Sequence, residues 1–227
     1  TILITGGAGF IGHHLIEELL KKTNYNIVSL DRLDVSGNLN RLAEVLEQND
    51  KWKRRVEIVW HDLKAPLNDM IRKKIGTVNY VLHLAAGSHV DRSIDYPMEF
   101  VMDNIVGTVN LLDYAREYLK DTMELFLYFS TDEVFGAAPE GVVFEENDRY
   151  NSGNPYAATK AGAEELCISY ENTYSIPIII THTMNVYGPR QHPEKFIPII
   201  INKVLSGAQL SIHSNPELTE ASKRHYL

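Results

Sequence analysis

Ser130-Thr131-Asp132-Glu133 sets two hydroxyls and two adjacent carboxylates directly after the apolar run 125–129. A buried strand giving way to a loop is the reading of that junction, and in an open parallel sheet ligands bind outside such carboxyl ends. Tyr156-Ala157-Ala158-Thr159-Lys160 then places a phenol and an ammonium four residues apart, on one face of an expected helix. A tyrosine titrating at about 10 is a poor base at neutral pH. A neighbouring ammonium and an oxidised cofactor ring, both positive, would stabilise the phenolate and lower that value. The phenolate could then take a proton from an alcohol as hydride leaves. Alcohol oxidation alone has no use for Asp132 and Glu133. Once a sugar carbon is a ketone, however, the hydrogen on its neighbour becomes acidic. One carboxylate can remove it while a carboxylic acid protonates a leaving hydroxyl. Two close carboxyls in a partly dry cleft can be held one ionised and one protonated. These residues together predict oxidation linked to elimination.

The elements that must position them follow from periodicity. Residues 1–5 read as a short buried strand, and Phe10 to Lys22 carries Ile11, Leu15 and Leu19 at helical spacing. Gly7-Ala8-Gly9-Phe10-Ile11-Gly12 therefore fits G-x-G-x-x-G between strand and helix, where glycines permit a tight turn, backbone approach to a pyrophosphate and close packing. A lone glycine motif is equally a flexible turn. Here a second strand, 26–30, ends in Asp31, nineteen residues after Gly12, where an acid can accept hydrogen bonds from an adenosine ribose. That combination predicts dinucleotide binding. Asp31 would repel a ribose phosphate, favouring NAD over NADP, while Arg32 works against the preference.

Strands are further expected at 56–60, 78–84, 125–129 and 178–183, with 210–213 a short one. Helices are expected at 39–48, 66–74, 98–118, 155–174 and 196–205, with a loop over 137–154. This alternation predicts an α/β doubly wound parallel sheet. An eight-unit barrel would need more units and would not open on a dinucleotide motif. Asp62 and Leu63 then fall at a strand end, where Asp62 could bond an adenine amino group or be an ordinary loop acid. The fourth strand ends at Leu84 and runs into Ala85, Ala86 and Gly87, small residues that let a flat cofactor lie near the backbone.

The 227 residues carry a formal net charge of -8, which argues against nucleic acid or an anionic membrane, since those need clustered positive charge. The densest basic cluster, Lys51, Lys53, Arg54 and Arg55, reads as a solvated loop. Cys167 is the only cysteine, excluding an intrachain disulfide, and reads as a small core residue. No apolar run reaches about 18 residues and no signal peptide is recognised, so a cytoplasmic protein with no membrane partner is expected. The opening on Thr1 within a strand pattern predicts that part of the natural amino terminus is missing. His13 and His14 point apart on a helix, and no metal site is expected from the histidine spacing.

The chain resembles the extended short-chain dehydrogenase/reductases and, within them, the nucleotide-sugar 4,6-dehydratases, nearest the dTDP-glucose branch. The resemblance is carried by TGGAGFIG (5–12), HLAAGSHVDRSI (83–94), NIVGT (104–108), STDEVFG (130–136), YAATKAGAE (156–164) and NVYGPRQHPEKFIP (185–198). The Thr-Asp-Glu triplet is the narrower mark, since 4-epimerases usually lack the acid pair. The resemblance implies a Rossmann-type NAD domain over 1–190 and the start of a smaller, truncated C-terminal substrate domain over 191–227. It implies that Tyr156, with Lys160 and Thr131, oxidises carbon 4 of a hexose, that Glu133 takes the proton of carbon 5, and that Asp132 protonates the hydroxyl leaving carbon 6. Implied NAD contacts are Gly6, Gly9, Phe10, Ile11, Gly12, Asp31, Arg32, Asp62, Leu63, Leu84, Ala85, Ala86, Tyr156, Lys160 and Val186. Implied sugar-diphosphate contacts are Ser88, Thr131, Asn185, Lys195, Phe196 and Arg224. A homodimer pairing the helices at 98–118 and 155–174 is implied as well. The chain departs from the pattern at Gly87, where glutamate is common, at Asp103, where threonine or a small polar residue is common, and in extra length at 217–223. A 4-epimerase or decarboxylase using the same phenol and lysine, and a non-catalytic NAD-binding protein, are the alternative readings.

Overall fold

The computed structural model describes residues 1–34, 36–211 and 219. Six strands, β1 (Ile2–Thr5), β2 (Ile27–Asp31), β3 (Val56–Trp60), β4 (Tyr80–His83), β5 (Leu125–Thr131) and β6 (Ile178–Thr183), form one sheet in the order β3-β2-β1-β4-β5-β6. Every neighbouring pair is parallel. The order reverses beside β1, which opens a crevice at the carboxyl ends of β1 and β4. The connecting helices are α1 (Phe10–Lys22), α2 (Leu39–Glu47), α3 (Asp50–Lys53), α4 (Asp69–Ile75), α5 (Val90–Asp95), α6 (Pro97–Phe100), α7 (Gly107–Tyr114) and α8 (Pro155–Tyr174).

Both faces of the central strands are covered, and β1 shows why its sequence is apolar nearly throughout. Ile2 and Ile4 pack with Ile16 and Leu20 of α1 and Leu42 and Val45 of α2. Leu3, pointing the other way, joins Ile75 of α4, Leu111 and Leu112 of α7, and Ala163 and Cys167 of α8. Cys167 is fully buried, and burial pushes its thiol up to about 12.

Several boundaries differ from the sequence reading for identifiable reasons. The helix expected at 66–74 begins at Asp69, because the Asn68 side chain accepts from Ile71 N at 3.1 Å and caps it there. The helix expected at 98–118 is continuous from Pro97 to Leu119 but contains two wide π turns, Val101–Val106 and Ala115–Leu119. Strand β5 runs two residues past 129, so Ser130 and Thr131 belong to the sheet. The basic cluster is not simply a loop. Asn49 caps α3 through Lys51 N at 3.0 Å, and the Arg55 guanidinium donates to Leu20 O, Thr23 O and Tyr25 O at 2.8–3.0 Å. Arg55 thereby satisfies carbonyls at and beyond the end of α1 that have no helical partner. Of the strand expected at 210–213, Leu210 and Ser211 are not strand, and Ile212 and His213 lie outside the described residues.

The chain divides into two compact units, Thr1–Thr183 and a second from Met184 onward, so the first ends with β6 itself. The second, by itself, contains α9 (Phe196–Ser206), closed by Gly207 in the left-handed region at φ 66°. No helix among the described residues is long and apolar enough to cross a membrane.

Replacing Arg55 with Ala strands three carbonyls, and a loss of about 2 kcal/mol is expected in urea unfolding. Lys51→Ala, at an exposed side chain, is expected to stay within about 0.5 kcal/mol. Equal effects would contradict the capping role of Arg55.

Candidate active site

The glycine turn lies at the carboxyl end of β1. Gly6 sits at φ 71° with Ala85 N 2.9 Å from where a Cβ would be, so only glycine fits that approach to the end of β4. A Cβ on Gly12 would overlap Gly6 O, which is how α1 starts so close to the strand. Asn side chains cap α2, α4 and α8, yet α1 begins at Gly9 with no side-chain cap. A 13-residue helix thus points uncapped N–H groups, those of Phe10, Ile11 and Gly12, at the crevice mouth. The donor set fits a dinucleotide pyrophosphate. Asp31, nearly buried at the end of β2, accepts from Ala8 N at 3.1 Å and Leu33 N at 2.8 Å, which fixes its carboxylate beside the turn. Both oxygens keep lone pairs for ribose hydroxyls.

Beyond β3, Asp62 accepts from Lys64 N at 3.0 Å. Leu63 turns its side chain into the core, and its carbonyl accepts from Asn110 at 2.7 Å, so at most its backbone N–H is left for a ligand. Leu84, Ala85 and Ala86 follow β4, and Ala85 N donates to Thr5 Oγ1 at 3.1 Å. His83 beneath them is fully buried, held to Thr5 at 2.7 Å and Thr108 at 3.0 Å, and burial lowers it to about 3, so the ring is neutral. Thr108 donates to Asn104 O at 2.6 Å and so accepts from His83 Nε2–H.

The chemistry-bearing residues meet where β5 faces α8. Thr131 caps the tight turn Asp132–Phe135, accepting from Glu133 N and donating to Asp132 Oδ1, each at 3.3 Å. Asn154 Nδ2 donates to Glu133 Oε2 at 3.1 Å while its Oδ1 accepts from Ala157 N at 2.8 Å. One asparagine therefore caps α8 and fixes Glu133. Tyr156 N donates to Ser93 Oγ at 3.0 Å, and Asn104 joins Thr159 at 2.9 Å to Gly87 N and O at 2.8 and 3.1 Å. Lys160, 2% exposed, donates Nζ to Phe129 O at 2.8 Å and lies 4.1 Å above the Tyr128 ring.

The electrostatics differ from the sequence expectation. Tyr156 is pushed well above its ordinary value, by desolvation first and then by the Glu133 charge, with the Thr131 hydroxyl alone pulling it down. Burial lowers Lys160 to about 7, with Glu164 opposing the drop. Lys160 is directed at Phe129 O rather than acting as the phenol's counter-charge. In the protein alone, Tyr156 is a neutral phenol beside the Glu133 charge.

Ser130 faces away from the crevice. Its hydroxyl donates to Glu164, a fully buried carboxylate that also meets Tyr150 OH at 2.5 Å and His182 Nε2 at 2.8 Å. Glu164 closes the YAATKAGAE stretch (156–164), but the sequence reading gives it no role. Its position one helical turn beyond Lys160, on the same face of α8, is the signal that could have found it.

The family model described as GDP-mannose 4,6 dehydratase matches residues 3–219. The chain belongs to that family. It is 40% identical to a dTDP-D-glucose 4,6-dehydratase of Dictyostelium discoideum, over 100% of this chain and 52% of that one. It superposes on DesIV, a dTDP-glucose 4,6-dehydratase of Streptomyces venezuelae solved with NAD and TYD bound, with TM-score 0.84 and 34% identity, over 94% of this chain and 65% of that one. A UDP-glucuronic acid 4-epimerase of Bacillus cereus, solved with UDP-glucuronic acid and NAD, gives TM-score 0.81 and 29% identity, over 94% and 66%. The chain thus spans about half to two thirds of the length of the relatives it matches. Within the family frame, the residues expected at the dinucleotide turn and at the β5–α8 junction are brought to one edge of the sheet, with Ser88 in the segment after β4. Asn185, Val186, Lys195 and Phe196 fall in the second unit. Arg224 and 220–223 lie outside the described residues, as do 217 and 218.

The depressed Lys160 binds fewer protons folded than unfolded, so it makes stability rise with pH from about 7 toward the ordinary lysine value. Below about 7 the full cost is present. Lys160→Met is expected to flatten urea stability across that window relative to the parent. Parallel pH profiles would contradict a buried, depressed Lys160.

Proposed function

We propose that the protein is an NAD-dependent nucleotide-sugar 4,6-dehydratase, a hydro-lyase that converts dTDP-glucose to the 4-keto-6-deoxy sugar nucleotide. The observation that carries the reading is the placement of Glu133. It is held by the same Asn154 that caps the helix bearing Tyr156, so acid pair and phenol share one rigid junction. The dehydratase relatives support the substrate class.

NAD, when bound, supplies the hydride acceptor for carbon 4, the hydride donor for carbon 6, and a positive ring while oxidised. The N–H groups at the start of α1 and the Asp31 carboxylate would hold it. Tyr156 takes the proton of the 4-hydroxyl, with Thr131 stabilising the phenolate. Glu133 removes the proton of carbon 5, made acidic by the 4-ketone, and Asp132 gives its proton to the hydroxyl leaving carbon 6. Asp132 and Glu133 are both partly exposed, which leaves them open to a sugar. Lys160 and Glu164 act from behind, fixing α8 on β5. The same reading makes the protein a cytoplasmic homodimer, and the exposed Met98 and Met102 on the helical stretch expected to pair support the dimer.

With intact protein and dTDP-glucose, mass spectrometry is expected to show loss of one water, and light scattering a dimer. Tyr156→Phe should lower turnover by about 10²- to 10⁴-fold. Glu133→Gln should stop water loss while still permitting oxidation, seen as nicotinamide absorbance. An unchanged mass with inverted carbon 4 would instead make the protein a 4-epimerase.

A further inference from the structure

Arg32 follows the ribose-binding acid and would ordinarily be the arginine to receive a ribose 2′-phosphate. Here its fork is taken. Nη1 and Nη2 donate to the two oxygens of Asp103 at 2.5 and 2.9 Å, and Nε donates to Asp34 Oδ2 at 2.6 Å. The Asp103 pair is bidentate, the strongest geometry open to a guanidinium and a carboxylate. It is also shielded, with the Asp103 side chain 13% exposed.

Asp103 reaches Arg32 from a distant part of the chain. It lies in the π turn Val101–Val106, and wide turns of this kind re-aim side chains, often at functional sites. The space it uses is left by Gly87 after β4, where a Cβ would stand 3.3 Å from Asp103 Oδ2. The remaining nearby cations among the described residues are also engaged. Lys64 Nζ lies 3.4 Å from Asp62 and 3.7 Å from Asp103, and Arg41 donates Nη1 to Ala8 O and Ser36 O. Asp31, Asp34, Asp62 and Asp103 thus outnumber Arg32, Arg41 and Lys64 among the described residues at this edge. An added phosphate would have to break the Arg32–Asp103 pair and enter a negative field.

We propose that Asp103 determines cofactor specificity: by holding the Arg32 guanidinium, it denies a 2′-phosphate its partner and restricts the site to the dinucleotide without that phosphate. The inference rests on the dinucleotide-binding reading above. Asp31 disfavours the phosphate independently, so the contribution of Asp103 must be separated from it by a double-mutant cycle.

The test titrates intact protein with NADH and with NADPH, following nicotinamide fluorescence. Asp103→Asn, which keeps the shape, and Asp103→Thr, which keeps a small polar group, are compared with the parent. The parent is expected to prefer NADH, and both variants to shift the preference toward NADPH by about tenfold. Adding Arg32→Ala should abolish the shift. An unchanged preference in both variants would overturn the proposal, as would a shift that survives loss of Arg32. If the parent binds neither dinucleotide, the dinucleotide reading falls, and this inference with it. Binding of NADH with an unchanged preference sinks the inference alone.

Discussion

The register of α8 on β5 is the constraint on which the site depends, and buried polar groups set it. Lys160 donates to Phe129 O at 2.8 Å, and Ser130 donates to the buried Glu164. A lone buried charge is costly, and a satisfied one tolerates little displacement. These two contacts therefore fix helix and strand both along and across each other. Glu164 extends the hold to Tyr150 in the loop after β5 and to His182 on β6. Tyr156 is one turn before Lys160, and Asp132 and Glu133 begin just after Ser130 and Thr131, so Tyr156, Asp132 and Glu133 inherit their separation from this clamp.

Lysine and phenol divide the work differently from what their spacing suggests. Lys160 is committed to the strand and to the Tyr128 ring, and Tyr156 is held neutral by desolvation and by Glu133. A positive charge arriving beside Tyr156 would therefore have a large effect, because the phenol is desolvated and faces the Glu133 charge. Oxidised NAD brings such a charge and its reduced form does not. In the proposed reaction, such a charge would favour the Tyr156 phenolate that accepts the 4-hydroxyl proton.

The alternation of elements and the dinucleotide turn were readable because they rest on local patterns: apolar or β-branched stretches such as 125–129 and 178–181, helical spacing over Phe10 to Lys22, and Asp31 at its distance from Gly12. Residues 155–174 form the expected helix because Asn154 and Pro155 give an N-cap and first turn in succession. What escaped was long-range. Nothing near Asp103 says that a wide turn aims it at Arg32, 71 residues away, and Arg55 resembles its basic neighbours until α1 is seen ending above it. Ser130 reads as one of a polar set facing a ligand. Only the pleat of β5, extended by two residues, shows that it points to Glu164 while Thr131 carries on to the turn.

The most direct test of this account is the titration of Tyr156 in protein carrying ring-labelled tyrosine, assigned by its loss in Tyr156→Phe and followed by NMR. The account predicts a value well above the ordinary one of about 10 in the protein alone and with NADH, and a fall below it with NAD. A phenol already depressed without NAD would contradict it, and would return the activating role to Lys160.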